Sequence, residues 1–287
     1  MSILEVKNLT HTYSGNTPFV NDAVKNVSFK IEKGEIIGII GHTGSGKSTL
    51  VQHLNGLLKP TDGQILIENN DIWEKPSEIR KIRSIVGLVF QYPEYQLFEE
   101  TVEADIAFGP KNMGISGEEL KNRVKEICGI VGVKDEYMEK SPFDLSGGEK
   151  RRVAIAGVMA MRPDVIIFDE PTAGLDPKGR ENVIEIIKNY REATGATVII
   201  ISHSMEDMAV LADKLLVMNK GSLYMFDTVS NVFQKREELK AIGLEVPIVT
   251  RVFSLLREKN VAVNENIFTV EQAVKELIRI KAGGEDA

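Results

Sequence analysis

Apolar residues in this chain come in short runs set between amphipathic stretches. From Ile3 to Tyr13 apolar and polar positions alternate closely enough to predict a strand. "NTPFVNDAV" then interrupts with Pro and Asn and reads as a turn or insert. "VSFKI" and "GEIIGIIG" follow as strands, the second almost wholly apolar, as expected of a strand covered on both faces. A helix is predicted from just after Gly46 to about Leu58, then a turn at "KPTDG" and a strand over "QILIENNDI". "SIVGLVFQ" reads as a buried strand ending at Gln91. "DVIIFDE" and "ATVIIIS" read as two more, with a helix from Pro177 to Ala193 between them. Between Tyr92 and Met161 the pattern is mostly helical. "SGEELKNRVKEICGIVG" is its clearest helix, with Ser116 spaced to cap it through Glu119.

Strands alternating with helices imply an α/β fold built on a largely parallel sheet. The helical stretch over about 92–161 breaks that alternation and reads as a subdomain of a unit spanning 1–228. After Asp227, "SNVFQKREELKAIG", "PIVTRVFSLLREKN" and "TVEQAVKELIRI" predict three short helices. Gly243 ends the first, Pro247 starts the second, and Thr269 with Gln272 makes a capping box for the third. Ile248, Val252, Leu255 and Leu256 form one apolar stripe; Val270, Ala273, Val274 and Leu277 form another. So short a region (229–287) makes a weak core alone, so these stripes are expected to pack on the main unit or on another chain.

Composition narrows the class. The 287 residues are 43% hydrophobic and 27% charged, enough for a large buried core. A net charge of -7 lacks the basic footprint of a general nucleic-acid binder, and no nucleic-acid partner is expected. The one cysteine, Cys128, excludes an intrachain disulfide and reads as an apolar filler. "MSILEVKNLT" has no export signal, and the apolar runs fall far short of the ~20 residues that span a bilayer.

The chemistry begins at "GHTGSGKST", Gly41 to Thr49, which fits G-x-x-x-x-G-K-[ST] between an apolar strand and a helix. Gly41, His42, Thr43, Gly44, Ser45, Gly46, Lys47, Ser48 and Thr49 are the candidate phosphate cradle. Glycines there let backbone N–H groups turn inward, and the helix start adds positive partial charge. Lys47 is placed to reach the β- and γ-phosphates, and Ser48 to ligate Mg²⁺. "VIIFDE" sets Asp169 and Glu170 at the C-terminal end of a core strand, the edge where ligands collect in open α/β sheets. Asp169 fits a Mg²⁺ partner, and Glu170 a group that orients or deprotonates water. His203 stands just past the next strand in "IIISHS" and could donate to the γ-phosphate. Gln91 ends another, where its amide could touch Mg²⁺ and the attacking water. His11, His42 and His53 have no metal-ligand spacing, and no zinc site is read.

A second anion-binding signal lies in "LSGGE", where Ser146, Gly147 and Gly148 open a helix. With the motifs above, in this order, and "AGLD" ending at Asp176, the chain resembles the nucleotide-binding domain of ATP-binding cassette (ABC) proteins over about residues 1–228. The resemblance implies a P-loop NTPase fold, ATP and Mg²⁺ as cofactors, and hydrolysis through Glu170, His203 and Gln91. It implies that Tyr13 stacks on adenine. It also implies that Ser146, Gly147 and Gly148 close over nucleotide held by a second, head-to-tail subunit, with Asp176 crossing the interface. The fifth signature position, often Gln, is Glu149 here; its side chain is expected to turn away from the phosphates.

"YPEYQLFEETVEADIAFGP" after Gln91 sets Tyr92, Tyr95 and Phe98 beside Glu94, Glu99 and Glu100, a candidate groove for a helix carrying arginine. This wording, with "GHTGSGKSTLVQHLNGLL" and "IISHSMEDMA", is similar to the ATPase subunits of energy-coupling factor (ECF) transporters. "SGNTPFVNDAVKNV" and "GHTG" are most like the second of two paralogous ATPases. That resemblance implies several partners: a paralogous ATPase or a second copy, a transmembrane subunit docking near Gln91–Pro110, and a substrate-binding membrane subunit. It implies uptake of vitamins or transition-metal ions from the cytoplasmic face of a prokaryotic membrane, with 229–287 adding dimer contacts. An ordinary ABC importer or exporter ATPase is the alternative. So is a cassette acting on DNA or ribosomes, against which the acidic charge and the absence of sustained heptads speak.

Overall fold

The computed structural model describes residues 2–13, 21–264 and 266–283. Strand β1 (Ser2–Tyr13) pairs antiparallel with β2 (Asn21–Glu32), and β3 (Ile36–Ile40) runs into the loop that opens α1 (Lys47–Leu54). Part of the insert expected over "NTPFVNDAV" lies outside the described residues; the rest is the start of β2. Strands β4 (Asp62–Ile67) and β5 (Asn70–Asp71) form a hairpin where one strand was expected. Glu68 and Asn69 turn the chain there with φ of 47° and 67°. Helix α2 (Ile79–Ile85), which the periodicity does not predict, precedes β6 (Val86–Val89). Helices α3 (Val102–Asn112), α4 (Gly117–Val131) and α5 (Gly147–Met159) then separate β6 from β7 (Val165–Asp169). Ser116 stands at the N-cap of α4, but its side chain makes no capping bond. The chain continues through α6 (Pro177–Thr194), β8 (Thr197–Ile201), α7 (Met205–Leu211), β9 (Lys214–Asn219) and β10 (Ser222–Thr228).

Six strands make one sheet in the order β10-β9-β3-β8-β7-β6, all parallel except edge strand β10. The other four form a separate antiparallel sheet, β2-β1-β4-β5, which the alternation of strands and helices does not reveal. The apolar runs of β3, β7 and β8 follow from this arrangement. Successive side chains of a strand point to opposite faces. Ile36, Ile40, Ile166, Phe168, Val198 and Ile200 pack into the core beneath the helices. Their neighbours Ile37, Ile39, Val165, Ile167, Ile199 and Ile201 pack into the core shared with the antiparallel sheet and α1. A strand covered twice has no polar face to show. The open C-terminal edge of this parallel sheet is where β3, β7 and β8 deliver their loops.

The C-terminal segment attaches to the first of these cores. "SNVFQKREELKAIG" forms two helices, α8 (Val229–Gln234) and α9 (Arg236–Ala241), broken at Lys235. Val232, Phe233, Leu239 and Phe268 join the helix-side core. α10 (Ile248–Glu258) and α11 (Val270–Gly283) share a small cluster of Phe253, Ile267 and Ala273. The Thr269–Gln272 capping box forms in both directions. The two apolar stripes do not pack on the main unit: Ile248, Val252 and Leu255 are exposed, as are Val270, Val274 and Leu277.

Candidate functional site: a nucleotide cleft and a separate anion-binding turn

The loop between β3 and α1 is shaped by glycine where nothing else fits. Gly46 has φ 99°, and a Cβ there would sit 2.3 Å from the Ala23 carbonyl oxygen. Gly41 has φ 155°, with the Met218 carbonyl 2.4 Å from where a Cβ would be. Lys47 is buried and its Nζ donates to the carbonyls of Gly41 (2.8 Å) and His42 (3.1 Å). Burial lowers the Lys47 pKa, while the nearby Glu170 and Asp169 carboxylates oppose that shift. Thr43, Gly44, Gly46, Lys47, Ser48 and Thr49 line a cleft of 750 Å³. Gly41, His42 and Ser45 do not line it. His42 faces β9, with Nε2 3.2 Å from Asn219 Oδ1, and Ser45 is fully buried beneath the loop.

Across the cleft stand the ends of β7 and β8. Burial pushes up the Asp169 carboxyl pKa, and the neighbouring Ser48 hydroxyl opposes that shift. Glu170 turns the chain with φ 52°, a left-handed conformation uncommon for this residue type. Its N–H donates to the Ile201 carbonyl at 3.0 Å, so the neighbouring strand holds the turn. Burial raises the Glu170 pKa too, and the His203 backbone N–H acts against it. His203 Nε2 lies 3.2 Å from Glu170 Oε1, yet that oxygen has no hydrogen bond of good geometry. It is a buried acceptor aimed into the cleft without a fixed donor. Burial, then the Lys47 charge, lowers the His203 pKa, so the imidazole is neutral at pH 7.

Gln91 and Tyr13 line the same cleft. The Tyr13 ring is 39% exposed, with its hydroxyl 3.4 Å from Thr49 Oγ1 and its edge against His11. Sequence patterning missed several of the lining residues, among them Ala23, Thr172 and Arg180. Arg180 donates from Nε to Asp207 Oδ1 at 2.6 Å, and Thr172 Oγ1 donates to Asp207 Oδ2 at 2.9 Å. Buried Asp207 thereby ties α6 and the loop after β7 to α7. No spacing rule links residues so far apart.

The second anion signal is elsewhere. Ser146, Gly147 and Gly148 are exposed and do not border the cleft. A Cβ on Gly147 or Gly148 would meet nothing within 4 Å, so this chain's own packing does not require glycine there. Asp176 is exposed outside the cleft and caps α6, accepting from the Gly179 N–H at 2.7 Å. Glu149 does not turn away from this segment. Its Oε2 accepts from the Ser146 N–H at 2.9 Å and from the Ser146 hydroxyl at 2.6 Å. The reason is local: an acid at the third helical position reaches back to the residue that caps the helix.

Of the acidic rim after Gln91, Glu94 turns inward, 3.8 Å from Arg151 Nη1. Asp105 accepts the N–H groups of Phe98 and Glu99. Tyr95 and Phe98 are 84% and 57% exposed, and Phe98 lines a 660 Å³ groove between α3 and α5. Among the described residues, no helix is long and apolar enough to cross a membrane.

Residues 24–173 match the ABC transporter family. The chain is 54% identical to the energy-coupling factor transporter ATP-binding protein EcfA2 of Clostridium tetani, over 96% of both chains. It is 53% identical to the protein of that name from Clostridium perfringens, over 96% of this chain and 98% of that one. Among solved structures, cbiO1 from Clostridium perfringens, part of the ABC transporter complex cbiONQ, superposes with a TM-score of 0.75 at 36% identity. That match covers 89% of this chain and 99% of cbiO1. A dimeric ATP-binding cassette in a post-hydrolysis state with ADP and Pi gives 0.70 at 30% identity, over 79% of this chain and 98% of that one. The glycine cradle, the acidic strand end and these likenesses agree: the chain belongs to the ABC ATPases, in the EcfA2 family of energy-coupling factor transporter ATP-binding proteins.

Proposed function

We propose that this chain hydrolyses MgATP only as half of a head-to-tail pair with a second ATPase subunit, and so energises uptake of a vitamin or transition-metal ion. One observation carries the pairing: the second anion-binding turn is exposed and remote from the cleft, and its two glycines have no reason in their own chain to be glycine. Glycine is needed where another backbone or ligand approaches closely. An anion held by a partner satisfies that need.

In this reading Lys47, with the N–H groups of Thr43 to Thr49, binds the phosphates, and Tyr13 stacks on the base. Ser48, Asp169 and Gln91 would hold Mg²⁺, whose charge offsets that of the phosphates. The Ser48 hydroxyl beside Asp169 fits such a site. Among the described residues no group of three or more His, Cys, Asp or Glu could hold a metal by itself. Most remaining ligands would therefore be phosphate and water, as is usual for Mg²⁺. Glu170, with its raised pKa and unpartnered oxygen, orients the attacking water and takes its proton. Neutral His203 donates to the γ-phosphate. The partner's signature segment and aspartate complete the site.

The exposed aromatics and the groove beside them support docking of a membrane subunit's helix near Gln91–Pro110. The chain would then sit peripherally on the cytoplasmic face. The exposed stripes on α10 and α11 fit added contacts with the second ATPase. A mild-detergent purification of the tagged full chain is expected to retain a second ATPase subunit, a transmembrane subunit and a substrate-binding membrane protein. Undiminished turnover per chain on extreme dilution, with none of these retained, would refute the proposal.

A further inference from the structure

The Ser146–Glu149 contact goes beyond a helix cap. A serine hydroxyl has one proton to donate. Here that proton goes to Glu149 Oε2 at 2.6 Å, and the Ser146 N–H goes to the same oxygen at 2.9 Å. The nearby Tyr137 hydroxyl also favours the charged form of this carboxylate. The Tyr137 ring carries the Lys140 ammonium 4.8 Å from its centroid and the Lys134 ammonium at 5.5 Å. With these donors, the Ser146 hydroxyl first and Tyr137 next, the Glu149 pKa falls to about 2, so the group is charged throughout the neutral range.

We infer that Glu149 is a positioning residue that holds the signature serine's only hydroxyl proton in the unpaired chain, and that closure over a partner's nucleotide must break this bond. The inference rests on the head-to-tail reading above. A phosphate oxygen and the carboxylate compete for one donor, and both offer charge-assisted hydrogen bonds. While Ser146 faces Glu149 it presents lone pairs, not a proton, to an approaching anion. The Ser146 hydroxyl therefore passes from the carboxylate to the phosphate as the pair closes. A glutamine in this place keeps the reach-back bond to the Ser146 N–H but accepts more weakly from the hydroxyl. The acid thus raises the ATP concentration needed for closure and leaves the hydrolytic groups untouched.

The test is a double-mutant cycle on the full chain assayed with its pairing ATPase, reading the ATP dependence of hydrolysis. Glu149→Gln is expected to lower KM for ATP about five- to tenfold with kcat within about twofold. Ser146→Ala is expected to raise KM. In the Ser146→Ala background, Glu149→Gln should do nothing further, because the proton it released is gone. A KM gain that persists without the hydroxyl means simple charge repulsion and overturns the inference. So does an unchanged or raised KM in Glu149→Gln alone, when its melting temperature matches the parent. If Ser146→Ala itself leaves hydrolysis untouched, the head-to-tail reading is what fails.

Discussion

His203 Nε2 stands 3.2 Å from Glu170 Oε1, across the ends of adjacent parallel strands β8 and β7. The register that pairs Asp169 with Ile201 brings the two side chains to one edge. The Glu170 side chain is 14% exposed and its charge is poorly solvated, whereas the His203 side chain is 54% exposed. Their pKa values are driven towards each other, the glutamate up from 4.5 and the histidine down from 6.5.

Glu170→Gln should therefore abolish turnover and stabilise the fold together. A carboxyl whose folded pKa is raised favours folding below its unfolded pKa and loses that stabilisation as pH rises through the folded value. At pH 7 the ionised form is a burden that the amide removes. The variant should melt at a higher temperature than the parent, with kcat down at least ~100-fold. Scanning calorimetry at pH 7 alongside a phosphate-release assay checks both; full turnover would remove Glu170 from the chemistry.

The pH profile follows from the same pair. His203, lowered, stays neutral until pH falls below the ordinary histidine range, and its contribution to stability is lost only there. The acid limb of kcat should lie below pH 6.5 and report His203. His203→Gln should move that limb further down and reduce its steepness. A limb at the same pH in the variant would exclude His203.

Two glycine substitutions should part stability from activity. Gly46→Ala puts a Cβ 2.3 Å from the Ala23 carbonyl at φ 99°, so destabilisation by roughly 2–4 kcal/mol is expected. Gly147→Ala meets nothing within 4 Å, so its melting temperature should match the parent while ATP hydrolysis falls. Thermal melts of both with one activity assay suffice; normal hydrolysis by Gly147→Ala would argue against a close approach there.

Asp207→Ala should loosen the floor of the cleft. Its carboxylate is 4% exposed and takes bonds from Arg180 and Thr172. Removing it leaves a guanidinium that is 37% exposed without its partner, so the cost is moderated by water to about 2 kcal/mol. Urea titration measures this; loss under about 0.5 kcal/mol would show that the tie is weak.

Much of the site was legible because its parts are local. The phosphate loop is one contiguous turn whose glycines answer to backbone geometry. Asp169, Glu170 and His203 were placed by the rule that parallel strands carry ligands at their C-terminal edge. The sequence also marked Ser146 to Gly148 as a second anion-binding turn. It could not show that Gly147 and Gly148 are uncrowded, since that depends on what lies around them. Arg180 and Asp207 stayed invisible because 27 residues separate them and neither belongs to a periodic pattern.

By itself, then, the sequence determined the apolar strands, the cradle and the order of motifs, since each is set by neighbours within a few residues. Only the tertiary structure decided that the strands divide into two sheets, that the C-terminal stripes face outward, and that Arg180 meets Asp207. Those outcomes depend on which surfaces meet, and burial and hydrogen-bond competition settle them only once the whole chain is packed.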